Sequence, residues 1–226
     1  MLRRANLAVH WKPDMRSPKS VEKLEALGRV RLSPNFFMRD FLYSEIANFH
    51  GLANIPEDPE LAIAAGTKLC EELLEPLNET FGRIAIRSAY RSPTLNAFGH
   101  SKGNLGCASN EANYAGHIWD RRDAAGRMGA TVCVVIPWFA DLYEQGRDWR
   151  AMAWWVHDHL PYSSMEFFKT RAAFNLTWRE EPERRIDHYI PKGCLTKVGM
   201  AGHADDHSEW YSDFPALRMP AVIAGD

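Results

Sequence analysis

No stretch of this sequence is long and apolar enough to cross a membrane. The longest largely apolar run, Ala130 to Ile136, falls far short of the ~20 residues that a spanning helix needs. Charge of one sign is lacking as well. The formal net charge is −2 and the isoelectric point about 6.5, so no overall basic field draws the chain to nucleic acid or to anionic lipid. The four cysteines, Cys70, Cys107, Cys133 and Cys194, form no C-x-x-C pair, which excludes a zinc ribbon and a thioredoxin-type redox motif. Internal repeats are absent. Arg3-Arg4 is followed by Trp11-Lys12-Pro13-Asp14 instead of an apolar stretch and a small-residue cleavage site, so no secretion signal is expected and a cytoplasmic protein is.

What is present is the composition of an ordinary globular chain. At 226 residues it exceeds the usual domain of ~100–150 but contains no linker-like stretch, so one core is expected. Residues 1–32, with a helical stretch from Val21 to Leu27 ending at Gly28, read as an N-terminal extension, 33–193 as the domain, and 194–226 as a tail wrapped over it. Phe36, Phe37, Phe41 and Leu42, then Ser44 before Ile46 and Phe49, predict two short helical turns stopping at Gly51. Asp58-Pro59-Glu60 opens the clearest helix, with Leu61, Leu69, Leu73 and Leu77 turned to the core and Pro76 bending or interrupting its end. Ile84, Ile86 and Ser88 alternate as in a strand, and Asn96 to Gly116 read as a long loop.

Thr131-Val132-Cys133-Val134-Val135-Ile136, closed by Pro137, is the best buried strand. Asp148 caps a helix through His159, and three more strands follow at Ser163–Phe167, Ala173–Trp178 and Arg184–Ile190. Helices first and strands later predict an α+β fold, with helices packed on a small, mainly antiparallel sheet.

Six short pieces, in order, carry a family resemblance. They are Leu32-Ser33-Pro34-Asn35-Phe36, Gly51-Leu52-Ala53-Asn54-Ile55-Pro56, Leu74-Glu75-Pro76-Leu77, Phe81-Gly82, the strand Ile84-Ala85-Ile86-Arg87, and the turn Ser88-Ala89-Tyr90-Arg91-Ser92-Pro93. Together they resemble the opening of the M15 peptidases, the zinc-dependent D-Ala-D-Ala carboxypeptidase family, over about a third of the chain. The resemblance implies a hydrolase of bacterial or phage origin in which a bound Zn2+ activates water against a peptide or peptidoglycan fragment.

Carried onto this chain, the family's first ligand falls on His117 and its strand-borne last ligand on His188. The pattern then departs: the strand before Pro137 places Cys133 where the family has a zinc-binding Asp. Asp120, one turn beyond His117, competes with Cys133 for the third position and is preferred. Cys133 has an ordinary structural reading too, as a small thiol in a Val/Ile strand. Glu166 matches the family's general base, provided an inserted hairpin brings it to His188; Glu181 is the runner-up. Arg91 corresponds to the residue that stabilises charge on the scissile carbonyl oxygen. Tyr90 and Trp119, with Trp138, are expected to line a peptide cleft.

Two further clusters read as structural. His157-Asp158-His159 sits at a helix end where such groups complement the dipole, and His203-x-x-x-His207 lies in a stretch without helical context, read as a solvated tail. The activity expected is therefore that of a zinc peptidase. The alternative is a catalytically inactive M15-like peptide-binding protein or a phage-associated structural one.

Overall fold

The computed structural model describes residues 17–220, and its elements follow the burial pattern of the sequence closely. Residues 1–16 of the expected N-terminal extension and the last six residues of the expected tail lie outside the described part. Helix α1 (Val21–Gly28) begins where the Ser20 hydroxyl accepts from Lys23 N and buries Leu27. A short 3-10 turn (Met38–Phe41) and α2 (Glu45–His50) lead to Gly51, whose φ of 65° supplies the left-handed cap that ends α2. Helix α3 (Pro59–Leu69) starts from the side chain of Asp58, with Pro59 in its first turn.

The helix expected to break at Pro76 does not. Between α3 and α4 (Glu75–Phe81) the chain widens into a π turn over Cys70–Leu74, where Glu75 N reaches back to Cys70 O. The wider turn accommodates the missing N–H and the ring of Pro76, and a buried rod continues to Phe81. Ala62, Ala65, Leu69, Leu73 and Leu77 form its inner stripe; Leu61, expected there, is only half-buried. The rod also carries a fully buried carboxylate. Glu75 accepts from Ser33 Oγ at 2.6 Å and from Asn35 N and Nδ2 at 2.7 Å, pinning the Ser33-Pro34-Asn35 turn.

A six-stranded sheet lies against this rod. Its strands are β1 (Ala85–Ser88), β2 (Gly129–Val135), β3 (Ser164–Phe167), β4 (Phe174–Arg179), β5 (Arg185–Tyr189) and β6 (Lys192–Thr196), in the spatial order β1-β2-β4-β3-β5-β6. Every pairing is antiparallel except β3 with β5. The fold is thus α+β. Strand β6 was hidden in the expected tail and crosses the 193/194 boundary, while Tyr211, Phe214 and Leu217 pack against the core beyond it.

Period-2 alternation gives the sheet two unlike faces. Val132 and Val134, Phe174 and Leu176, Met165 and Phe167, and Ile186 point into the core beneath α3 and α8 (Arg150–His159). The opposite face carries a row of directly paired residues: Ser88 with Cys133, Cys133 with Asn175, Asn175 with Glu166, Glu166 with Asp187, and Asp187 with Cys194. Four of the six are polar or acidic and the other two are cysteines, a composition that an apolar core would not select.

Candidate functional site: the polar face around His117

The stretch expected as one long loop contains two helices. Ser92 Oγ accepts from Leu95 N and opens α5 (Pro93–Lys102), which ends at Gly103 with φ of 71°; α6 (Asn110–Asn113) is capped by Ser109. Their Gly, Asn and Ser content masks the helices because capping, not an apolar stripe, defines them. An Asn network ties the two together: Asn96 Nδ2 donates to Ala108 O and to Asn110 Oδ1, and Asn113 Nδ2 donates to the Asn96 and Ser109 oxygens. Gly99 makes room for Cys107, whose Sγ would stand 2.5 Å from any Cβ placed there.

The backbone after α6 then runs beside β2. Thr131 N donates to Gly116 O at 3.0 Å, and a Cβ at Gly129 would lie 2.4 Å from Ala115 O, so this approach requires glycine. Arg91 N donates to His117 O at 2.8 Å, which locks the two expected site residues side by side. Asn54 fixes the Arg91 turn from the other side, donating to Tyr90 O and accepting from Ser92 N.

His117 is 5% exposed. Its Nδ1 faces Ala89 O at 2.7 Å, and since a carbonyl only accepts, Nδ1 carries the hydrogen. Nε2 is then a bare lone pair. It makes no hydrogen bond of good geometry, although the Asn175 side chain lies close enough to act on the ring. Burial, and next the Arg91 charge, lower the His117 pKa to about 3, so the ring is neutral. Arg91 uses one amino group on Asn96 Oδ1 at 3.2 Å and Cys107 Sγ at 3.1 Å.

Below them lies the polar row. Burial pushes the Cys133 thiol up to about 11 despite nearby Arg87 and Arg91, so in the absence of a metal it stays protonated and is no ready nucleophile. Asn175 Nδ2 donates to Glu166 Oε2 at 3.1 Å, while burial raises the Glu166 carboxyl and Asp187 raises it further. Arg91, His117, Cys133 and Glu166 therefore belong to one region. Asn175 joins them, and nothing in its local sequence distinguishes it; only its register with Cys133 and Glu166 does.

The remaining expected ligands do not meet them. An inserted strand does set β3 beside β5, but it pairs Glu166 with Asp187 and Phe167 with His188. One residue of register puts His188 on the core face, where it lies 4.9 Å from the Trp149 ring and closes over Gly193. Asp120 is buried in a separate pocket of donors, accepting from Glu57 N at 2.8 Å and facing the Tyr90 hydroxyl. His117, Asp120 and His188 are consequently not one ligand set, nor is the set with Cys133 in place of Asp120. Among the described residues, the one group of three His, Cys, Asp or Glu at ligating separations is elsewhere, at His157, Asp158 and His207. The donors around His117 do not fit a zinc ion.

The expected cleft aromatics are also displaced. Trp119 and Tyr90 are fully buried, edge to face at 6.2 Å, with Trp119 Nε1 donating to Thr131 O; they support the site from beneath. Trp138 stacks on Phe81 and meets Phe214 well away from the row. Glu181 is an exposed partner of Arg127. The chain matches no protein-family model, no curated protein and no solved structure in the comparisons made.

Proposed function

We propose that this chain is a peptide-binding protein of M15-like build, in which the polar face receives the C-terminal residue of a short peptide without hydrolysing it. The observation that carries this reading is a buried imidazole lone pair without a hydrogen-bond partner on a residue whose carbonyl is bonded by the backbone of Arg91, a nearby cation. A neutral Nε2 calls for a donor, and Arg91 calls for an anion. The terminal residue of a peptide offers both on adjacent atoms, an amide N–H and a carboxylate, and a buried acceptor gains most from being filled. Asn175 and Glu166 on the floor supply further polar contacts.

The zinc peptidase expected from the sequence is less well supported, because its ligands point to three different places. Fluorescence anisotropy with labelled peptides ending in D-Ala-D-Ala or L-Ala-L-Ala, with and without zinc, tests the choice. Binding without cleavage is expected, weakened about tenfold or more by Arg91→Ala and by His117→Phe. Zinc-dependent release of the terminal alanine, lost in His117→Phe, would restore the peptidase.

A further inference from the structure

The second histidine cluster was expected to be a helix end and a solvated tail, yet two of its histidines are buried beside the exposed Asp158. His157 and His207 are 6% and 7% exposed, and they meet although fifty residues separate them. His207 lies flat on Trp154, with ring centroids 3.7 Å apart and planes inclined by 4°, and it stands edge-on to His157 at 5.5 Å. Its Nδ1 faces Asp158 Oδ1 at 2.9 Å and its Nε2 faces Gly202 O at 2.8 Å. Both partners are acceptors. A neutral imidazole has one N–H and cannot satisfy both, so the arrangement asks for a positive centre between ring and carboxylate, either a second proton or a metal ion.

We infer that His157, Asp158 and His207 form a divalent metal site, suited to zinc, that fastens the C-terminal segment to helix α8. One ligand atom from each residue lies within 4.8 Å of the others. Ligands held at ~2.1 Å in a tetrahedron are roughly 3.4 Å apart, so the His207 Nδ1–Asp158 Oδ1 pair, at 2.9 Å, opens slightly to admit the ion while His157 closes on it. The surroundings match what a metal needs of its outer partners. His207 keeps Gly202 O on the ring nitrogen turned away, and Asp158 Oδ2 accepts from the Tyr211 hydroxyl at 2.6 Å. Both nitrogens of His157 are hydrogen-bonded, Nε2 donating to His203 O at 2.8 Å and Nδ1 accepting from Tyr162 Oη at 2.7 Å, so ligation through Nδ1 displaces the Tyr162 hydroxyl while His203 O keeps the ring oriented. Two imidazoles and one carboxylate leave a fourth position for water and select zinc over calcium or magnesium.

The site is separate from the His117 region, and the test keeps them apart. Untagged protein is stripped with chelator, loaded with zinc and analysed for bound metal, and the cobalt form is examined by visible absorption. One tightly held ion per chain is expected in the wild type and in His117→Phe. In His207→Asn and Asp158→Asn, affinity should fall at least tenfold and the cobalt spectrum should change. Because those variants could loosen the segment, the wild type is also melted with and without zinc; a higher midpoint with zinc is expected. Failure of the wild type to take up zinc would overturn the proposal, as would zinc lost in His117→Phe but kept in His207→Asn. So would nitrogen NMR showing both His207 nitrogens protonated in the presence of zinc, which would assign the positive centre to a proton.

Discussion

Two buried histidine regions of the molecule differ in how their hydrogen bonds are matched. Around His117 an acceptor is left over: Nδ1 is used on Ala89 O, and Nε2 has no hydrogen-bond donor. Around His207 the acceptors are in surplus, since carboxylate and carbonyl oxygens approach both ring nitrogens. The first arrangement is completed by a donor-bearing anion, the second by a cation. Burial is similar in both, so it is the donor and acceptor balance, not depth, that separates the two regions.

The largest expected effect lies in the fastening. Trp154→Ala removes the surface on which His207 stacks and should cost on the order of 3 kcal/mol, read as a lower urea midpoint. An unchanged midpoint would show that the C-terminal segment adds nothing to the core. The next contrast is acid sensitivity. His117 binds a proton near 6.5 when unfolded but only near 3 when folded, so its contribution is complete above about pH 6.5 and is lost as pH falls toward 3. By pH 4 that loss should be on the order of 3 kcal/mol, and His117→Phe should flatten the corresponding part of the stability profile. An equally steep profile in the variant would place the acid sensitivity elsewhere.

Smaller changes sharpen the same comparison. Cys133→Ser keeps the size of a residue whose thiol stays protonated, so peptide binding should change less than threefold, with stability lower by about 1 kcal/mol. Abolished binding would give the thiol a direct role. Tyr211→Phe deletes the hydroxyl donated to Asp158 in a partly exposed position and should cost about 0.5 kcal/mol in the absence of metal. A loss several times larger would mean that Asp158 is more dependent on that hydroxyl than its exposure implies.

The sequence by itself determined the regular elements whose signals are local. The Ser20 and Asp58 caps, the left-handed Gly51 and the apolar strand before Pro137 each act within a few residues, and each stands where its chemistry put it. Arg91 and His117 were legible too, although their adjacency is made by a backbone bond between distant segments. Only the tertiary structure decided which residues share a face. The alternation already puts His188 on the face of buried Ile186 and Asp187 on the other, but that Asp187 comes to stand beside Glu166 is set by the parallel register of β3 and β5, which no local pattern contains. The same holds for Asn175, selected by pairing across two strands, and for His207, whose partner Asp158 arrives from a helix 49 residues away. Pairing between distant segments depends on how whole elements pack, and that information is spread over the core instead of being written beside the residues it positions.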